Sequence, residues 1–147
     1  MKTVLFVCTG NTCRSPMAEY YFNSETKKRG YSEITATSCG IYAVSGIPMS
    51  QNAIAILASL GIDAQGHRSR PLDAELMGEA HAVYGMTLHH AAKLKAQFPE
   101  YAHKIFCMPD DIDDPYGGKI PEYEECFRSL RKSVDIVIKS VVGEITH

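Results

Sequence analysis

No stretch of this chain approaches the ~20 consecutive apolar residues that span a bilayer. The apolar start resembles the front of a secretion signal, but it breaks off at Thr9-Gly10-Asn11-Thr12, far too soon for a leader. Charge of one sign is also missing. Fifteen Lys and Arg against 17 Asp and Glu leave a net charge of −2, which excludes broad attraction to nucleic acid or to an anionic membrane. The five cysteines are odd in number and scattered, without any Cys-x2-Cys spacing. That excludes a disulfide framework and a zinc ribbon, and it suits reduced thiols in the cytoplasm. There is no internal repeat, linker or low-complexity segment. A chain of 147 residues that is 45% hydrophobic is therefore expected to form one domain, residues 1–147, around one sizeable core.

Strand-like and helix-like segments alternate. Residues 3–8 read as a strand, residues 16–29 as a helix stopped by Gly30, and residues 34–38 as a short β-branched strand. Ser50 is a candidate cap for a helix over 51–60, and Asp73 for a short helix ending at 79. Residues 82–86 read as a third strand, Thr87 caps a helix to Phe98 before Pro99, and residues 104–108 read as a fourth strand. A loop over 109–121 precedes a long amphipathic helix over 122–142. This alternation predicts an α/β fold: a single three-layer domain, a four-stranded parallel sheet with helices on both faces. Such sheets bind ligands at the carboxyl ends of their strands.

The densest chemistry lies at the first such end, in Cys8-Thr9-Gly10-Asn11-Thr12-Cys13-Arg14-Ser15, followed by Pro16. Pro suits a first helical turn and Ser15 suits the N-cap before it, so the loop should curl over a helix N-terminus. That is where backbone N–H groups and the helix dipole receive anions. A thiol there, beside a cation, sheds its proton readily and becomes a nucleophile. Five residues between Cys8 and Arg14 let the loop close around a tetrahedral oxyanion, which the planar Arg14 fork can grip. Thr9, Gly10, Asn11, Thr12, Cys13, Arg14 and Ser15 are thus the candidate phosphate-binding residues. Neither metal nor cofactor is called for. His89 and His90, neighbours on a helix, point apart and make poor joint ligands.

A second cluster, Asp110-Asp111-Ile112-Asp113-Asp114-Pro115-Tyr116-Gly117-Gly118, follows the fourth strand and should also lie at a carboxyl end. A carboxylic acid there could protonate a leaving group. An EF-hand reading fails, because the Gly and the closing Glu are not at the required offsets.

The string from Val7 to Glu19, Val-Cys-x-Gly-Asn-x-Cys-Arg-Ser-Pro-x-Ala-Glu, resembles the low-molecular-weight protein tyrosine phosphatase family. Smaller matches, Ser38-Cys39-Gly40 and His67-Arg68-Ser69-Arg70, extend the resemblance over nearly the whole chain. It implies a phosphatase with Cys8 as nucleophile through a phosphocysteine, Arg14 as oxyanion clamp and Asp114 as general acid. It also implies that Ser38 and His67 brace Asn11 and Ser15, that Ser15 hydrogen-bonds the sulfur, and that Cys13 can pair with Cys8 on oxidation. Cys39, Cys107 and Cys126 read as small core residues. Phosphorylated proteins would be the substrates, and inorganic phosphate the product and an inhibitor. Thr12, where many tyrosine-specific relatives carry an aliphatic residue such as Ile, and Tyr116 before Gly117-Gly118 resemble the bacterial protein-arginine phosphatase branch. A hydroxyl can accept from a donor-only guanidinium, and Tyr116 could stack on a phenyl ring or a guanidinium plane. Phosphotyrosine is the alternative substrate. Arsenate reduction and non-hydrolytic phosphoryl carriage are the alternatives on the same scaffold.

Overall fold

Val4 to Val7 form an apolar run, two β-branched valines around Leu5 and Phe6, and in the computed structural model they lie at the centre of the sheet. The structure describes residues 1–115 and 117–146, the last three of these as helix backbone, so the expectation for Tyr116 lies outside the described residues. Four parallel strands, β1 (Lys2–Cys8), β2 (Ile34–Gly40), β3 (Ala82–Gly85) and β4 (Ile105–Cys107), pair in the order β2-β1-β3-β4. The chain leaves β1 to one side for β2 and then crosses to the other side for β3. The sheet order therefore reverses at β1, which opens a crevice beyond the carboxyl end of that strand. Cys8 is the last residue of β1.

Among the described residues five helices cover the sheet: α1 (Arg14–Lys28), α2 (Gln51–Ala58), α3 (Ala74–Glu79), α4 (Leu88–Gln97) and α5 (Ile120–Thr146). The two-residue period of β1 sorts them. Val4, Phe6 and Cys8 enter one buried cluster with side chains of α1, α2 and α5, while Leu5 and Val7 enter the other with Met77 of α3 and Leu94 of α4. Helices thus lie on both faces. Phe6 anchors the larger cluster, edge-on to Phe22 at 5.8 Å between ring centres.

Several boundaries differ from those expected. Helix α1 begins at Arg14 rather than Pro16; Cys13 takes the cap position and Ser15 lies inside the helix. Ser50 stands at the head of α2, but its side chain caps nothing; its backbone N–H instead reaches Thr12 O at 2.8 Å. The helix stops at Ala58, before a turn in which Gly61 has φ 77°. The Asp73 and Thr87 caps form as expected, on Leu76 N and His90 N. A 3-10 turn, Pro99–Lys104, occupies what would have been the run into β4, because Pro99 halts the α-helix without straightening the chain. Helix α5 starts at Ile120, since Pro121 in a first turn forgoes no helical hydrogen bond. Cys39 and Cys126 are buried as expected. Cys107 is only half-buried; its thiol is 3.5 Å from Asp111 Oδ1, and burial and that bond push it up to about 11.

Candidate active site

The connection from β1 to α1 wraps a cavity of about 220 Å³ lined by residues 8–14 and by Asp114. Cys13, at the cap position of α1, makes no capping hydrogen bond with its side chain. The first-turn amides of that helix are thereby left to whatever occupies the cavity. Ser15, the expected cap, turns to the sulfur instead. Its Oγ is 2.9 Å from Cys8 Sγ and 3.3 Å from Cys39 O, and the backbone N–H of Asn11 lies 3.3 Å from the same sulfur. A sulfur anion would draw the single Ser15 hydrogen toward itself and keep the Asn11 amide as a second donor.

Asn11 holds the loop open. At φ 57° it is the non-glycine residue with left-handed backbone among the described residues, a conformation that Asn tolerates better than most. Four contacts hold it there. Its Nδ2 donates to Ser15 Oγ and Ser38 Oγ, each at 2.9 Å; its Oδ1 accepts from Arg70 N at 3.0 Å; its carbonyl accepts from His67 Nε2 at 2.9 Å. His67 is buried, and burial holds its pKa below the ordinary imidazole value, so it meets that carbonyl as a neutral Nε2–H donor. Behind Ser38 stand Glu19, whose carboxylate accepts from the Ser38 hydroxyl at 2.6 Å, and Arg70, whose Nε reaches Ser38 O at 3.0 Å. Gly40 lets the end of β2 press on this loop. A Cβ there would fall 2.6 Å from Thr9 O and 2.9 Å from Asn11 N.

Arg14 is 6% exposed and crosses the cavity floor. One Nη donates to Ile112 O at 3.1 Å, and the other is 3.7 Å from Asp114 Oδ2. Asp114 itself is half exposed at the cavity mouth, with Cys13 Sγ 3.9 Å from its Oδ1. Cys13 is buried; burial first, and then the Cys8 sulfur, push its thiol far up, so it stays protonated at neutral pH. Thr12 is half-buried in the cavity wall.

The structure therefore brings Cys8, Thr9, Gly10, Asn11, Thr12, Cys13, Arg14, Ser15, Ser38, His67 and Asp114 to one end of β1. Sequence reasoning missed four contributors. Glu19 and Arg70 stood inside the quoted strings without a role. The Ile112 carbonyl has no sequence signature. His90, weighed only as a metal ligand, is buried against Thr9.

A cysteine at a strand end, ringed by amides and a guanidinium on a doubly covered parallel sheet, defines the class of cysteine-dependent phosphatases. The chain belongs to the family described as low molecular weight phosphotyrosine protein phosphatase, whose model matches residues 3–146, and it is a protein phosphatase. It is 37% identical over 145 residues to a protein-arginine-phosphatase of Bacillus subtilis, covering 89% of this chain and 95% of that one. Among solved structures, a low molecular weight protein tyrosine phosphatase from T. tengcongensis superposes with a TM-score of 0.90 at 39% identity, over 95% of this chain and 99% of that one. A Cys-to-Ser mutant of the arginine phosphatase YwlE, with its active-site serine phosphorylated, superposes with a TM-score of 0.89 at 33% identity, over 95% of each chain. Among the described residues no helix is long and apolar enough to cross a membrane.

Proposed function

We propose that this chain is a protein-arginine phosphatase, acting in the cytoplasm as one catalytic domain over residues 1–147. The observation that carries the substrate choice is Thr12, a hydroxyl in the wall of the cavity that holds Cys8, Arg14 and Asp114. The similarity to the Bacillus subtilis arginine phosphatase supports it.

In this reading Cys8 Sγ attacks phosphorus in line with the scissile N–P bond. Arg14 and the loop amides bind the equatorial oxygens and the charge that develops on them. Asp114 gives its proton to the departing guanidino nitrogen, leaving phosphocysteine on the enzyme. Asp114, now a carboxylate, takes a proton from water as that water attacks phosphorus. The S–P bond breaks, Cys8 returns as thiolate held by Ser15 and the Asn11 amide, and inorganic phosphate leaves. Phosphate also competes with substrate, since it fills the same cavity. Thr12 Oγ accepts from a guanidinium N–H just beyond the phosphoryl group, where phosphotyrosine would present ring carbons.

Thr12→Ile tests the choice. A hydrogen bond of this kind contributes about 0.5–1.5 kcal/mol, and up to roughly 3 with a charged donor. The variant should thus shift the ratio of kcat/KM for phosphoarginine over phosphotyrosine down by about one to two powers of ten. If both substrates respond alike, Thr12 is a packing residue and phosphotyrosine becomes the better reading.

A further inference from the structure

His90, in the first turn of α4, is 4% exposed, and the reaction described above leaves it without a part. Two threonine hydroxyls hold its ring. Nδ1 is 3.1 Å from Thr87 Oγ1, and Nε2 is 2.9 Å from Thr9 Oγ1. Thr87 is the cap of α4, and its Oγ1 already accepts from the backbone N–H of His90 at 3.2 Å. Thr9 is the residue after Cys8 and is exposed on the lip of the phosphate cavity. The close approach depends on Gly85 at the end of β3. A Cβ there would fall 2.7 Å from Ala91 N and 3.0 Å from His90 Cβ, and would push the head of α4 away from the sheet.

We propose that His90 is a positioning residue for the phosphoryl group: its Nε2–H donates to Thr9 Oγ1 and leaves the Thr9 hydroxyl hydrogen free to point at a phosphoryl oxygen. The inference rests on the phosphatase reading and extends it by one donor that is a side chain rather than a loop amide. Proton counting supports this direction. Thr9 has one hydroxyl hydrogen. Given to His90, it would leave an oxygen lone pair facing an oxyanion. Kept by Thr9, it requires a proton on Nε2 and a lone pair on Nδ1. The Thr87 oxygen accepts one N–H and has one hydrogen to give, and Nδ1 is there to receive it. Each hydrogen then has one acceptor. The scheme needs a neutral ring, and the surroundings supply it. Burial, Arg14 and His89 hold the His90 pKa down to about 4, against the opposing carboxylates of Asp114 and Asp111.

The test combines the tautomer of the full-length protein with phosphate binding in variants. Nitrogen-15 spectra at pH 7 should show His90 neutral and protonated on Nε2. Titration with inorganic phosphate should show binding roughly 10- to 100-fold weaker in both His90→Phe and Thr9→Val, with the double variant no weaker than either alone. His90→Gln, which carries an N–H near the place of Nε2, should regain most of the loss, whereas His90→Asn, which reaches only the place of Nδ1, should not. Thermal melts report folding, and if His90→Phe fails to fold, the wild-type tautomer and Thr9→Val still decide. A ring protonated on Nδ1, phosphate binding in Thr9→Val equal to wild type, or losses that multiply in the double variant would each overturn the proposal. Binding is read without turnover. A wild-type protein that binds phosphate but hydrolyses no phosphoprotein would contradict the phosphatase reading instead.

Discussion

Cys8, Arg14 and Asp114 are assigned separable tasks, and single substitutions should separate them. Cys8→Ser should abolish turnover while phosphate or vanadate still binds, because the amide cradle and Arg14 remain; turnover near wild type would remove Cys8 as nucleophile. Arg14→Lys keeps the charge but not the planar fork that spans Ile112 O and the cavity, so it should still lose most activity. Asp114→Asn should cost roughly 10²–10⁴-fold with a poor leaving group, and far less with p-nitrophenyl phosphate, whose leaving group departs without a proton. Equal losses on both would point to Asp113 or to a structural role. Residues of this kind were legible because their chemistry is local: thiol, guanidinium and amides fall within eight positions of sequence. His90 was not legible. Its partner Thr9 lies 81 positions away, and only the fold of β3 onto α4 brings them to 2.9 Å.

The strands and helices carry the site by their ends. The alternation of the sequence was enough to expect four parallel strands, and β1 and β3 ended within a residue of the expected places. The start of α1 was misread, at Pro16 instead of Arg14, whereas α2 begins at Gln51 behind Ser50 as expected. Ser15 is a good capping residue by type, yet the site takes its hydroxyl for Cys8 Sγ; Ser50 keeps the cap position of α2, and its backbone N–H ties that helix to Thr12 O. At Ser15 local capping propensity is overridden by the hydrogen bonds of the site, as expected at functional sites. Asp73, away from the cavity, caps its helix in the ordinary way. Asp73→Ala should therefore cost about 1 kcal/mol of stability in a denaturant melt, with kcat/KM unchanged. Gly40→Ala should do the reverse in emphasis. Its Cβ would meet Thr9 O at 2.6 Å, so the loop must shift and phosphate binding should weaken more than the melting temperature falls. Normal phosphate affinity in Gly40→Ala would show that the loop does not depend on that close contact.

Over the whole molecule, folding and the site share two buried imidazoles. His67 braces the loop from the β2 side and His90 from the α4 side, and both have folded pKa values below the ordinary 6.5, His90 at about 4. At these two imidazoles the unfolded chain binds more protons than the folded one between about pH 4 and 6.5, so they make stability rise with pH across that window, while buried Glu19, whose pKa is raised, works against them toward its acid end. Unfolding midpoints should fall steadily as pH drops from 6.5 toward 4, and the fall should be shallower in His90→Gln. Equal pH dependence in the wild type and in His90→Gln would mean that His90 is not held neutral. In the proposed reading this cysteine-loop phosphatase is built for a guanidinium behind the phosphoryl group. The most direct measurement is kcat/KM, side by side, on two peptides that differ only in carrying phosphoarginine or phosphotyrosine. The larger value is expected for phosphoarginine; an equal or larger value for phosphotyrosine would overturn that substrate choice.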